Sequence, residues 1–203
     1  HQLMLLHGAQ GKGKSTFIRH LLPPELKDYY RNGMIIPENN NHLLQLSSCL
    51  LINLDEFDTL SPERMQNLKS LITQDVVNER KVYDIQNYTY IRRASFIAST
   101  NNPHCMPDVK ENRRILFSTL LNIDYHTPVN HEGIYAQAYA LYRQGFQYWY
   151  ENEEITFLNN RNEAFRQKDP IEENLFFYFR AARQNDIQAQ WYPASYLLSV
   201  LSM

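Results

Sequence analysis

The sequence predicts an α/β fold, a three-layer arrangement with a central, mostly parallel sheet and a helical segment toward the C-terminus. Three observations predict it. A short apolar run, Leu3–His7, leads straight into a glycine-rich stretch and then a helix-like segment. Two later apolar runs, Cys49–Leu54 and Ala94–Ala98, also end abruptly in polar residues, the layout of parallel strands whose carboxyl ends gather a ligand. From Ile134 onward the apolar spacing is helical.

Each element follows in order. After the first strand, STFIRHLL reads as a helix stopped by Pro23 and Pro24. Residues 25–48 are polar and Asn-rich, with a short strand expected at Met34–Ile36. Ser61-Pro62-Glu63 starts a helix, with Ser as N-cap and Pro in the first turn, and the helix is expected to run to about Val77. Lys81–Arg93 alternates polar and aromatic residues and reads as extended or hairpin-like. Leu116–Ile123 is expected as a fourth strand. Tyr135, Tyr139, Tyr142, Phe146 and Trp149 are spaced four, three, four, three, one helical face read as core packing. Asp169-Pro170 and Pro193 open two last helices. These elements divide into a core over residues 1–128 and a helical segment over 129–203, continuous with it.

The totals narrow the function classes. A formal net charge of -2 gives no global basic field, so a nucleic-acid surface has to be a local patch. Cys49 and Cys105 form no Cys-x-x-Cys pair, which excludes a zinc site and points to a reducing, cytoplasmic setting. No apolar run approaches membrane-span length, and no signal peptide is present. The seven histidines make no metal-ligand spacing and are read as structural or surface residues. The chain opens on His1 directly before a strand, so it is expected to be a fragment of a longer protein.

Four stretches carry chemistry. Gly8-Ala9-Gln10-Gly11-Lys12-Gly13-Lys14-Ser15, followed by Thr16, fits the phosphate-loop pattern G-x-x-x-x-G-K-[ST] in full. Its glycines let backbone N–H groups wrap phosphates, Lys14 suits the β- and γ-phosphates, and Ser15 suits Mg²⁺. An apolar strand then delivers Asp55 and Glu56; buried carboxylates need partners, so Asp55 suits the metal and Glu56 the attacking water. Asp58 is read as a turn cap. Phe96–Asn102 carries Asn101 at its strand end, which either bridges water and γ-phosphate or simply turns the chain before Pro103. Asn112-Arg113-Arg114 offers either an arginine for transition-state charge or a surface pair ahead of a strand.

In this order the motifs resemble the virulence-associated protein E family, a branch of P-loop ATPases akin to superfamily 3 helicases and phage or plasmid primase-helicases. GAQGKGKSTFIRHL is similar to its phosphate loop, LLINLDEFD to its acidic strand, ASFIASTNN to its sensor strand, and ENRRILF to its Gly-Asn-Arg-Arg motif. IYAQAYALYRQGFQYWY and NNRNEAFRQKDPIEENLFFYF resemble its helical tail, so the likeness covers nearly the whole chain. Two departures stand out. Lys12 replaces a usual apolar residue, and Glu111 stands where the family has glycine, adding a negative charge beside the arginines.

The resemblance implies an AAA+-like P-loop fold and hydrolysis of ATP with Mg²⁺. Lys14 and Ser15 then bind nucleotide and metal, Asp55 and Glu56 serve metal and water, and Asn101 is the sensor. Arg113 or Arg114 becomes an arginine finger offered to a neighbouring subunit. It further implies a homo-oligomeric, helicase-like ATPase of a mobile-element or phage-type replication protein, acting on single-stranded or duplex DNA. Arg80, Lys81, Tyr83, Tyr88, Tyr90, Arg92 and Arg93 occupy the region that grips nucleic acid in related ATPases. Interleaved cations and aromatics suit that role; an ordinary edge hairpin has the same look. The alternative function is a nucleotide-gated regulatory module with little turnover. A small-molecule kinase fits the loop but not the acid pair with a distal Arg-Arg.

Overall fold

The computed structural model describes every residue except 1, 34, 36–39, 56, 80–85, 87, 107–111, 168–169, 184 and 202–203. It contains two compact units, His1–Arg166 and Gln167–Met203.

The first unit is built on a five-stranded parallel sheet. Its strands are β1 (Leu3–His7), β2 (Tyr30–Asn32), β3 (Leu51–Leu54), β6 (Ser95–Thr100) and β7 (Ile115–Thr119), in spatial order β2-β3-β6-β1-β7. β1 is central: Leu3 pairs with Phe96 on one side and Ile115 on the other, His7 with Thr100 and Thr119. Strand alternation sends side chains to both faces, and both are covered. Leu3, Leu5, Ile52, Leu54, Phe96 and Ala98 join Leu68 and Ile72 of α3 (Pro62–Thr73) in the larger core. Leu6 and Ile97 pack on the other face against Ile18 of α1 (Lys14–Arg19). That is the expected three-layer α/β architecture, with a P-loop-like order of strand, glycine loop and helix. Each fully buried Leu or Ile contributes about 1.5–3 kcal/mol through burial.

Three elements differ from expectation. The second strand forms at Tyr30–Asn32, where it pairs with β3 from Tyr30↔Leu51 to Asn32↔Asn53; Met34 and Ile36 lie outside the described residues. The polar stretch before β3 carries a helix, α2 (Asn40–Ser48), whose Leu46 is fully buried. Ser61 caps α3 as read, accepting from Arg64 N at 3.3 Å, but the helix stops at Thr73. Val76 and Val77, β-branched and suited to extended backbone, start β4 (Val76–Glu79) instead. β4 pairs antiparallel with β5 (Tyr88–Ile91), so the later part of the Lys81–Arg93 stretch is extended and pairs with residues upstream of it, while residues 81–85 and 87 lie outside the described residues.

The aromatic stripe is a correction. α4 (His131–Arg143) forms, capped by Asn130 Oδ1 accepting from Gly133 N at 3.0 Å. It buries no residue, and Tyr135, Tyr139, Tyr142, Phe146 and Trp149 are 43–73% exposed. Helical spacing shows that residues share a face; it does not supply a surface to cover it. Gly145, at φ 73°, closes the helix, so Phe146 and Trp149 leave that face altogether.

α5 (Asn152–Asn162) buries side chains where α4 buries none. Its Leu158 is buried, and buried Asn162 donates from Nδ2 to Ile115 O at 2.9 Å. Just beyond it, the Phe165 ring stacks on Phe117 of β7 at 3.5 Å. The second unit holds α6 (Pro170–Tyr178) and α7 (Ala194–Leu201), with Tyr192 stacked on Tyr196 at 4.9 Å. Among the described residues no helix is long and apolar enough to cross a membrane.

Candidate functional site

The site forms where β1, β3 and β6 end side by side. β1 gives way at Gly8, whose amide donates to Thr100 O of β6 at 3.3 Å. Gly11 and Gly13 adopt left-handed backbone at φ 77° and 79°, which L side chains resist. Gly13 is excluded from bearing a side chain a second time, because an added Cβ would stand 2.1 Å from the Tyr125 ring. Gly13 O then accepts from Phe17 N at 2.8 Å as α1 begins.

Lys14 is 7% exposed and satisfies its ammonium completely within the protein. Nζ donates to Gly8 O at 2.6 Å, Ala9 O at 3.0 Å and Asn101 Oδ1 at 2.7 Å. Burial lowers its pKa, with Asp55 and Asp58 opposing. Ser15 Oγ lies 3.3 Å from Asp55 Oδ2, and Ser99 Oγ donates to Asp55 Oδ1 at 2.6 Å. Beside them Thr100 Oγ1 donates to Asp58 Oδ1 at 3.0 Å. A cavity of about 370 Å³ is lined by the loop from Gln10 to Thr16, by Asp55, Asp58 and Asn101, and by Tyr125.

The expected residues Gly8, Ala9, Gln10, Gly11, Lys12, Gly13, Lys14, Ser15, Thr16, Asp55 and Asn101 therefore come together. Glu56 lies outside the described residues. Asn101 does more than turn the chain, since its amide oxygen holds Lys14. Among the described residues no three His, Cys, Asp or Glu cluster around a metal position. The donor set fits Mg²⁺ nonetheless: one carboxylate and one hydroxyl, with the remaining positions left for water and phosphate oxygens, is how Mg²⁺ is commonly held.

Arg113 and Arg114 are not brought to this cavity. They precede β7, beside Gln2, whose Nε2 donates to Arg113 O at 3.3 Å. The glycine loop leaves the opposite end of the sheet, on the order of 15 Å away along a strand of this length. There the two arginines line a separate cavity of about 510 Å³ with Arg92 and the side chains of Tyr148, Trp149 and Tyr150. Arg92 is half-buried, its guanidinium 5.6 Å over the Phe96 ring and its pKa lowered by burial. Of the other hairpin residues, Tyr88 is exposed, Tyr90 packs against the core and Arg93 is exposed. Arg80, Lys81, Tyr83 and Glu111 lie outside the described residues.

Sequence reasoning missed four members of the cavity, Asp58, Ser99, Thr100 and Tyr125. Asp58, read as a turn cap, instead bonds Thr100 and faces the cavity. The signal was its position: Asp58 lies only three residues past Asp55, on a short 3₁₀ turn at Phe57–Thr59 just beyond the strand end. Ser99 and Thr100 sit at the end of β6, two hydroxyls whose acidic partners, Asp55 and Asp58, lie more than 40 residues away in sequence. Tyr125 carried no local signal at all.

The virulence-associated protein E-like domain matches residues 1–167. Among solved structures, three apo structures of the NrS-1 C-terminal region are similar, at 17%, 16% and 18% identity with TM-scores of 0.44, 0.46 and 0.42. The alignments cover 81–82% of this chain and 34–35% of those chains, so this chain spans about a third of their length. Comparison with curated proteins finds no match. With the family's domain matched across most of its length, the chain belongs to the virulence-associated protein E-like domain family.

Proposed function

We propose that this chain is a helicase-like P-loop ATPase, related to superfamily 3 helicases, that binds and hydrolyses ATP with Mg²⁺. The observation that carries the reading is the convergence of Lys14, Ser15, Asp55 and Asn101 on one glycine-loop cavity. On this reading the amides of Gly11, Lys12 and Gly13 cradle the polyphosphate, with Thr16 beside them. Lys14 turns from its carbonyl partners toward the β- and γ-phosphates. Ser15 and Asp55 hold Mg²⁺, and Ser99 orients the carboxylate. The ion, when bound, neutralises charge on the phosphates. Asn101 positions the attacking water against the γ-phosphate. Glu56, next in sequence to Asp55, takes the proton as the water oxygen bonds phosphorus and the bond to the β-phosphate oxygen breaks.

Arg113 and Arg114, at the far end of the sheet, serve the ATP of another copy. That is the basis for a homo-oligomeric ring in which each site is completed by its neighbour. The family supports a DNA replication role in a mobile element or phage, hence a cytoplasmic setting. Exposed Tyr88 and Arg93 on the β4–β5 hairpin are the residues offered to DNA, single-stranded or duplex. The same separation of arginines from the loop favours a second reading, a nucleotide-gated regulatory module: a lone copy binds ATP and scarcely turns it over.

The test is ATP binding and phosphate release measured for the wild type, Lys14→Ala and Glu56→Gln. Lys14→Ala is expected to lose both, and Glu56→Gln to retain binding while losing most turnover. A wild type that binds Mg²⁺–ATP and releases no phosphate, with or without single-stranded DNA, supports the regulatory reading instead.

A further inference from the structure

The segment after β7 runs alongside the glycine loop. Leu120 N donates to His7 O at 2.8 Å, and Leu120 O lies 3.1 Å from the place a Cβ on Gly8 would take. A tight turn follows. Asp124 Oδ1 accepts from the amides of His126 and Thr127, each at 3.1 Å, and Oδ2 accepts from Thr127 Oγ1 at 2.6 Å. The turn presents the ring of Tyr125 to Gly13, with Cδ1, Cε1 and Cγ at 2.1, 2.4 and 2.8 Å from the ideal Cβ position. The ring thus rests on loop backbone with no side chain between. Tyr125 is half-buried, and the His126 ring lies 4.2 Å from it.

Among the described residues lining the loop cavity, Tyr125 is the one aromatic. The others are glycine backbone, cations, hydroxyls, amides and carboxylates, groups that answer phosphate and metal. A nucleoside triphosphate also carries a flat, largely apolar base, and among the described lining residues only the Tyr125 ring offers it a matching face. We propose that Tyr125 is the platform on which the base of the bound nucleotide stacks, so that base affinity comes from a ring face and not from reading the base edge. The proposal rests on the reading of the loop as a phosphate site. Because every base has a π-face, ATP and GTP are both accepted.

The alternative is that the ring merely packs on Gly13, and two substitutions separate the roles. Tyr125→Phe keeps the face, and Tyr125→Leu keeps bulk without it. Titration calorimetry of the 203-residue chain with Mg²⁺ and either ATP or tripolyphosphate reads base and phosphate separately. Tyr125→Leu is expected to bind ATP roughly tenfold or more weakly, with tripolyphosphate affinity unchanged; Tyr125→Phe is expected to match the wild type on both. The proposal is overturned if Tyr125→Leu binds ATP normally, if both ligands weaken equally, or if Tyr125→Phe fails as Tyr125→Leu does. A wild type that binds neither ligand overturns the phosphate-site reading itself.

Discussion

Lys14 Nζ donates to Asn101 Oδ1 at 2.7 Å, joining the first residue of α1 to the residue just after β6, 87 positions further along the chain. The bond ties the glycine loop to the end of β6 and holds a nearly buried ammonium in place. Two consequences can be measured, one for each partner.

For Lys14, burial sets the sign. Its pKa is lowered, so the unfolded chain holds this proton more tightly than the folded one, and stability rises with pH as the ordinary Lys value is approached from the folded pKa. At neutral pH the buried charge therefore costs stability. Lys14→Met is expected to abolish nucleotide binding while raising the Tm of the nucleotide-free protein by about 2–4 °C, the effect of ~1 kcal/mol in a chain this size. A lower Tm in thermal melts would show that the three hydrogen bonds outweigh desolvation.

For Asn101, the expected loss is in rate. Asn101→Ala frees Lys14 to wander, and misplacement of a positioned group by about 1 Å can cost ~100-fold. Turnover is predicted to fall roughly tenfold to a hundredfold with ATP affinity changed only a few-fold. Single-turnover kinetics checks this; a parallel collapse of binding would make Asn101 part of the loop's framework.

These two residues also show what the sequence made legible. The place of Lys14 in a glycine loop between strand and helix was readable from the fixed spacing of glycines, lysine and serine. Asn101 was readable only as a strand-end amide, since its partner lies 87 residues away. Strand ends could be aligned from apolar runs that stop in polar residues, which is why Asp55 and Asn101 were found together. Tyr125 was invisible because its place depends on a turn built by Asp124 after β7. The exposed Tyr139 and Tyr142 were misread because periodicity names a shared face without naming what covers it.

Ser99 acts through Asp55. Its 2.6 Å hydrogen bond fixes the carboxylate that lies 3.3 Å from Ser15. Losing such support typically costs 10–100-fold in metal affinity. Ser99→Ala is expected to raise the Mg²⁺ concentration for half-maximal ATP turnover about tenfold and to leave the saturated rate close to wild type. An unchanged Mg²⁺ titration would remove Asp55 and Ser99 from the metal site.

Arg114 is predicted to act between copies. Arg114→Ala and Lys14→Ala should each be inactive alone, yet mixtures should regain up to roughly a quarter of wild-type turnover, as random pairing of intact half-sites allows. ATP hydrolysis at varied mixing ratios checks this, and no recovery at any ratio would refute a finger supplied in trans.

His7 gives the pH dependence. It ends β1 with its Nδ1 buried, and burial, reinforced by Lys14, lowers its pKa below the ordinary 6.5. The folded state thus resists the proton that the unfolded state accepts, so stability is full above pH 6.5 and declines as pH falls toward the folded pKa. His7→Gln is expected to flatten the acid side of a Tm-against-pH curve; an unaltered slope would assign the acid loss to other groups.

The most direct test of the central claim is steady-state phosphate release from Mg²⁺–ATP, measured against protein concentration beside Lys14→Ala. A hydrolysis site completed by a neighbour predicts release that rises more steeply than in proportion to concentration, and a flat background for Lys14→Ala. Release no faster than Lys14→Ala at every concentration would contradict it.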